Sequence, residues 1–345
     1  MKKVEREVKL AAWGGFSLPD LFGVVEGVGS QAIAERRLDA LYYDTRDLRL
    51  ARAGVSLRHR SGDEPPWTVK LPEGDRGPIM NRREIPFEGP AGTIPPQAAA
   101  LVRAYTRTAP VVPVARLKTR RTGFELVVDD QKVAEVVDDE VSVYHGRRLA
   151  SRFRELEVEI EPEAPPGLLA AVIGRLRAAG AGDADGTAKV ARALGPRAQG
   201  PPDHPSVVLG AHATVGDVIR AALTAGLNRM VAHDSGVRLG DDPEDVHQAR
   251  VGTRRLRSDL RTFRPLLDPE WVGGLRDEAG WFAGLLGEVR DAEVLMERLE
   301  DQAKTLAKED AAGVTSLVRR LADNREAGRA RLLEAMNSPR YAELL

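Results

Sequence analysis

The segment Val4-Glu5-Arg6-Glu7-Val8-Lys9-Leu10 constrains this chain more than any other stretch. Side chains alternate across a β-strand, so Glu5, Glu7 and Lys9 share one face while Val4, Val8 and Leu10 share the other. Two carboxylates side by side repel unless a positive charge sits between them. A hard divalent cation is the usual answer, and a metal held this way can in turn hold phosphate.

The segment Arg154–Glu161 repeats the pattern: Glu155, Glu157 and Glu159 face one way, Leu156, Val158 and Ile160 the other. Further candidate strands place cations at alternate positions. These are Arg58 with Arg60, Lys70 with Thr68, Arg82 with Glu84, and Arg116 with Lys118 and Arg120, against Leu57, Trp67, Val69, Ile85 and Leu117 opposite. One such strand alone reads as the wet side of a half-buried sheet. Taken together, whole strands of single sign suggest faces turned inward, with cations on one wall of a lumen and carboxylates on another. Arginine forks match phosphate oxygens. Glutamates reach phosphate only through Mg²⁺ or Mn²⁺.

At 345 residues the chain has room for two domains. Strand signals occur at 3–10, 34–43, 55–61, 67–72, 79–88, 112–121, 124–129, 132–144 and 152–162, with short helices expected at 19–28, 47–53, 96–107 and 168–179. Strands at this spacing predict an antiparallel sheet closed into a barrel. A Pro/Gly stretch around 195–205 marks a linker, placed at 196–207, between domains 1–195 and 208–345. Beyond it the period is helical, over 215–237, 243–263, 269–286, 288–306 and 309–336, with Asp242-Pro243 and Asp268-Pro269 as helix starts. The fold class expected is α+β, a tunnel-like barrel with flanking helices followed by an all-α bundle.

The chain has no cysteine. That excludes disulfides, thiolate zinc sites and a cysteine nucleophile, and it suits a reducing cytosol. No leader is expected behind Lys2 and Lys3, and no apolar run approaches the roughly 20 residues of a membrane span. A cytoplasmic protein without a membrane partner is the expectation. A formal net charge of -1 argues against a general nucleic-acid binder.

Glu5-Arg6-Glu7-Val8-Lys9 resembles the ExExK signature of the CYTH domain, the triphosphate tunnel metalloenzymes. The elements that follow keep that family's order: Tyr43-Asp44-Thr45, Leu57-Arg58-His59-Arg60, Thr68-Val69-Lys70, Arg82-Arg83-Glu84, Arg116 to Arg121, Asp138-Asp139-Glu140, Glu155 to Glu159 and Lys189-Val190-Ala191-Arg192. The resemblance implies an eight-stranded antiparallel tunnel, open at both ends, that hydrolyses or cyclises triphosphates with Mg²⁺ or Mn²⁺. It implies Glu5, Glu7, Glu157 and Glu159 as metal ligands. Lys9, Arg58, Arg60, Lys70, Arg82, Arg116, Lys118, Arg120 and Lys189 become phosphate contacts, and Glu84 and Asp138 supports for the metal or its water. Strand parity stays open at one point: a shift of one residue turns Glu135 and Asp139 inward instead of Asp138. Arg83 and Arg121 carry the same ambiguity.

In the helical half, about 100° per residue puts His247, Arg250, Arg254, Arg257 and Arg261 within an arc of about 80°, with Ala249, Leu256, Leu260 and Phe263 on the far side. The stripe reads as an anion site tracking a repeated charge, or as a solvated face whose arginines pair with neighbours such as Asp291. The segment resembles the CHAD domain, as does 286–295. That resemblance implies a bundle with basic faces that binds inorganic polyphosphate; association with polyphosphate granules is a further expectation for the chain's location. The match is expected to be partial, ending at Leu345 and either cut short or completed by a partner chain in a homo-oligomer.

The functions that follow are hydrolysis of inorganic triphosphate or of short polyphosphate ends, with thiamine triphosphatase or adenylate cyclase as relatives of the same tunnel chemistry. A polyphosphate-binding scaffold with an idle tunnel is the alternative from another class. Retained glutamates argue against it, because a pure anion binder gains nothing from carboxylates in its site. Nucleic acid is a weaker partner still.

Overall fold

The computed structural model describes residues 3–73, 80–184, 186–305 and 308–345, without the side chains of residues 3–5, 80 and 308–312. The chain divides into two compact units, residues 1–99 with 110–202, and residues 100–109 with 203–345.

In the first unit the strands are β1 (Lys3–Ala11), β2 (Gly29–Asp44), β3 (Ser56–Ser61), β4 (Trp67–Pro72), β5 (Met80–Phe87), β6 (Val112–Val128), β7 (Gln131–His145) and β8 (Arg148–Ile160). They close into a barrel in the order β1-β5-β4-β3-β2-β6-β7-β8, each neighbouring pair antiparallel. Between the strands come α1 (Arg49–Arg52), α2 (Pro96–Leu101), which runs from the first unit into residues of the second, and α3 (Arg103–Thr106), which belongs to the second unit; α4 (Leu168–Ala178) and α5 (Lys189–Leu194) follow β8.

The barrel is inverted relative to a soluble β-protein with a dry interior. On β1, β7 and β8 the apolar faces point outward: Val8, Leu10, Val136, Leu156 and Val158 form a core with Leu168, Val172 and Leu176 of α4 and with Phe16, Leu21 and Val28. This outer core lets the opposite faces of the same strands carry charge. A second apolar cluster lies on the inner wall, where Val190 of α5 packs with Ala40, Leu117 and Val141.

Three local expectations change. Segments 112–121 and 124–129 are one strand, because Gly123 carries the chain through: a Cβ there would stand 2.1 Å from the Val136 carbonyl oxygen, so only glycine fits. Residues 19–28 form turns, not a helix, although Phe16, Leu21 and Val28 are buried there. Helices expected at 269–286 and 288–306 are a single α8.

The second unit holds α6 (Val215–Leu239), α7 (Pro243–Phe263), α8 (Pro269–Ala303), α9 (Lys308–Asn337) and α10 (Pro339–Leu344). Thr214 caps α6 with a capping box, and Asp242 and Asp268 cap α7 and α8 ahead of first-turn prolines. Met230, Leu260, Phe282, Leu286, Leu332 and Tyr341 centre its core. Gly226 and Gly252 let α6 and α7 approach closely: a Cβ on Gly252 would meet the Gly226 carbonyl oxygen at 2.8 Å. Among the described residues, no helix is long and apolar enough to cross a membrane.

Candidate active site in the tunnel

The inner wall encloses a cavity of about 260 Å³. On the acidic side, register sets Glu7 of β1 opposite Glu159 of β8, and Glu159 opposite Glu135 of β7, so three adjacent strands present a row of carboxylates. All three line the cavity. Of the expected ligands Glu5, Glu7, Glu157 and Glu159, the Glu5 side chain lies outside the described residues, and Glu157 lines the same cavity.

Deeper in, Lys9 Nζ stands 2.5 Å from Glu157, 3.6 Å from Glu7 and 3.9 Å from Glu155. Lys189, on α5, pairs with Asp139 and lies 3.3 Å from Glu155 and 3.4 Å from Glu157. Arg121 donates to Asp139 and, at 2.7 Å, to Glu157, and Arg192 lies 3.3 Å from Glu155. Burial works against the charge on Lys9, but Glu157, Glu7 and Glu155 outweigh it and hold the ammonium well above the usual lysine range. Lys189 is raised in the same way, against burial, by Glu157, Asp139 and Glu155. Burial likewise disfavours the charge on Glu157, and Lys189, Lys9 and Arg121 together draw it well below the usual carboxylate range. Glu155 goes the other way, because its burial outweighs the help of Lys9 and Lys189.

On the cationic side, Arg58, Arg60, Lys70 and Arg82 line the cavity with Glu84. Glu84 bridges Arg58 at 3.1 Å and Lys70 at 3.3 Å, so it orients two cations at once. Arg60 pairs with Asp63. Burial, then the neighbouring Arg58, lowers the Arg60 pKa. Arg83 points away from the cavity and pairs with Glu73.

The parity left open on β6 and β7 resolves in favour of the alternatives. Arg121, Glu135 and Asp139 face the lumen side, whereas Arg116, Lys118 and Arg120 stand on the outer wall. Arg116 binds Asp39 there through two hydrogen bonds, Lys118 lies 3.8 Å from Asp39, and Arg120 pairs with Glu140 and Glu35. The reason is that the apolar residue between these cations does not mark the outside. Leu117 faces inward to meet α5, so the cations beside it face out. Asp138 also belongs outside, where Arg154 grips both its oxygens. These placements correct the expected tunnel roles of Arg116, Lys118, Arg120 and Asp138.

Two lumen residues lack an expected role: the sequence does not place Arg36 there, and it places Glu155 on the acidic face without partners. Arg36 lines the cavity as one of a row of alternate β2 residues with Leu38, Ala40 and Tyr42, and the apolar members of that row read locally as a covered outer face. Glu155 was visible as one of three alternating glutamates; its partners Lys189 and Arg192 are three apart on a helix and so share a face, which was the available signal.

Asp139, Glu155 and Glu157 each offer an oxygen within 4.8 Å of the others, a set that could hold a metal ion. Glu7, Glu135 and Glu159, neighbours across three strands, form a second acidic group on the cavity wall.

In the helical unit, Arg250 pairs with Asp291 at 3.1 Å. Arg254, Arg257 and Arg261 are exposed, and no ion pair is made by these three among the described residues. A Cβ on Gly280 or Gly287 of α8 would stand 3.6 Å from the Arg257 guanidinium or 3.7 Å from that of Arg250. Elsewhere on α6, His233 Nδ1 meets Asp245 at 2.8 Å, and buried Asp234 joins Arg238 and the Tyr341 hydroxyl, each at 2.7 Å.

Residues 3–189 match the family model for the CYTH domain, and residues 221–345 that for the CHAD domain. Two curated relatives, from Mycobacterium tuberculosis strains CDC 1551 / Oshkosh and ATCC 25618 / H37Rv, are each 32% identical over 351 residues, 95% of this chain. Both are described as uncharacterized proteins, and the chain spans 66% of the length of each.

Proposed function

The chain belongs to the CYTH family, and from that premise we propose that its tunnel hydrolyses inorganic triphosphate, or the ends of short polyphosphates, with Mg²⁺ or Mn²⁺. The observation that supports this most is the convergence of Glu7, Glu135 and Glu159 with Arg58, Lys70, Arg82 and Arg121 on one cavity. Phosphoryl transfer needs positioning and charge stabilisation more than a dedicated nucleophile, and this wall offers both. Arg58, Lys70 and Arg82 would bind and orient the phosphate oxygens, the first two held in place by Glu84. Glu7, Glu135 and Glu159 would hold the metal, with Asp139, Glu155 and Glu157 as a second donor set; hard oxygen donors of this kind suit either ion. A bound metal supplies charge neutralisation and a water of lowered pKa.

Tyr42 is the one aromatic side chain among the described lining residues. A nucleotide or thiamine group gains from stacking platforms, so this lining favours a bare phosphate chain over adenylate cyclase or thiamine triphosphatase chemistry. The helical unit, in this reading, binds polyphosphate along Arg250, Arg254, Arg257 and Arg261, with His247 as a hydrogen-bond donor.

The deciding experiment is phosphate release from triphosphate, pyrophosphate, ATP and thiamine triphosphate side by side, with and without Mg²⁺ or Mn²⁺, for the parent chain and Glu159→Ala. Metal-dependent release from triphosphate above the other three, lost at least a hundredfold in Glu159→Ala with unchanged circular dichroism, is expected. Full turnover in Glu159→Ala would remove the metal assignment. Metal-independent release, or none from any of the four, would remove the triphosphatase.

A further inference from the structure

The deeper carboxylate cluster already holds a cation of the chain's own. Lys189 Nζ contacts each of the three carboxylates that could hold a metal, pairing with Asp139 and standing 3.3 Å from Glu155 and 3.4 Å from Glu157. One ammonium thus sits where a metal ion would sit. Glu155 shows how tightly the position depends on that charge: its side chain is wholly buried, and neither of its oxygens accepts a hydrogen bond. Its compensation comes from the ionic contacts of Lys189, Arg192 and Lys9.

A divalent ion and an ammonium in contact with all three carboxylates cannot share that position, since their repulsion in a poorly solvated site is severe; Lys9 and Arg121 stand beside it, each against two of the three. Nor can the ammonium simply be left unpaired, because burying a lone charge is costly. Lys189 sits on α5 and lines the same cavity as Arg58, Lys70 and Arg82. A polyanion bound against those cations would offer it another partner.

We propose that Lys189 is an exchangeable counter-ion of the Asp139–Glu155–Glu157 cluster, so that a divalent metal enters there only as the Lys189 ammonium transfers to a phosphate chain in the tunnel. The inference deepens the triphosphate reading and rests on it for the identity of the anion. Its consequence is thermodynamic. Metal and polyanion each favour the arrangement the other needs, so each tightens the other's binding by the same factor.

The test is Mn²⁺ binding to the full chain, read by electron paramagnetic resonance, with and without a non-hydrolysable methylene-bridged triphosphate. The analogue should tighten Mn²⁺ binding about tenfold or more, within the usual range of coupling between sites. Lys189→Met and Lys189→Gln should bind Mn²⁺ without the analogue about tenfold more tightly than the parent, with the coupling factor reduced to match. Arg82→Met, which removes a tunnel cation that is not in the cluster, should change Mn²⁺ affinity without the analogue by less than about threefold. Equal Mn²⁺ affinity in parent and Lys189 variants, or equal gains in Arg82→Met and Lys189→Met, would overturn the exchange. So would a parent affinity that ignores bound analogue. Failure of the analogue to bind would count against the triphosphate reading, and the Lys189 variants without analogue would still decide the exchange.

Discussion

Two regions of this protein concentrate arginine and lysine, and they handle the charge in opposite ways. In the tunnel, Lys9, Arg58, Lys70, Arg121 and Lys189 are each matched by carboxylates within 4 Å. Along α7, Arg254, Arg257 and Arg261 stand exposed, and among the described residues Arg250 alone of these four arginines meets an acid, Asp291, whose side chain is 70% exposed. Solvation accounts for the difference. Water screens an exposed stripe and tolerates like charges side by side, whereas a buried charge needs a partner to be there at all. The tunnel is therefore a coupled network in which no residue acts alone. The stripe is a sum of nearly independent charges.

The comparison breaks most readily at Arg121. Its guanidinium joins Asp139 and Glu157, and removing it leaves both acids short of a partner in a buried setting. Arg121→Ala should cost the first unit about 3–5 kcal/mol of stability, the range for breaking a buried pair. Urea denaturation would measure this. A loss below about 1 kcal/mol, the range for an exposed pair, would show the network to be solvated like the stripe.

What was legible in the sequence follows the same division. Alternation of charged and apolar residues on β1 and β8 disclosed which face is which, because on those strands the apolar face packs under α4 and the charged face is free to turn inward. On β6 the rule gave the wrong side. Leu117 is apolar for an inward reason, contact with Val190 of α5, and α5 comes from a segment about seventy residues further on. Arg36 was obscured for a related cause: it alternates with Leu38, Ala40 and Tyr42, which face the lumen and not an outer core. The helical wheel of α7 needed no partner strand, so its stripe could be read directly; that Asp291 would meet Arg250 also lay within reach of the charges alone. Local periodicity discloses faces. It does not disclose which face a distant element will cover.

A second way to sharpen the contrast is pH. Glu157 is depressed below its ordinary value of 4.5, so its charge contributes stability that is fully present above about pH 4.5 and lost as pH falls through the lower, folded-state value. Lys189 is raised above 10.5, so its contribution is fully present below about pH 10.5 and lost as pH rises through the higher, folded-state value. Between those limits the tunnel network is intact. The thermal midpoint of the first unit should fall at both ends, and Glu157→Gln should flatten the acid limb. Glu155, shifted the other way by burial, partly offsets that limb by regaining stability as pH falls through its raised folded-state value toward 4.5. An acid limb unchanged in Glu157→Gln would mean that other carboxylates carry it.

The smallest effect belongs to the stripe, and it is the one that separates the two regions. Replacing Arg254 and Arg257 together by Ala removes two exposed charges and leaves no acid stranded, so the second unit should keep its stability to within about 0.5 kcal/mol. In the reading proposed here the same change weakens polyphosphate binding about tenfold. It also makes the dependence of binding on salt shallower by about 1–2 in the log–log slope, as expected when two phosphate contacts are lost. Triphosphate turnover should not move. A parallel fall in turnover would mean that the stripe and the tunnel serve one substrate path. Unchanged binding and slope would return the stripe to the role of a solvated helix face, since charges that bind no anion release no counter-ions.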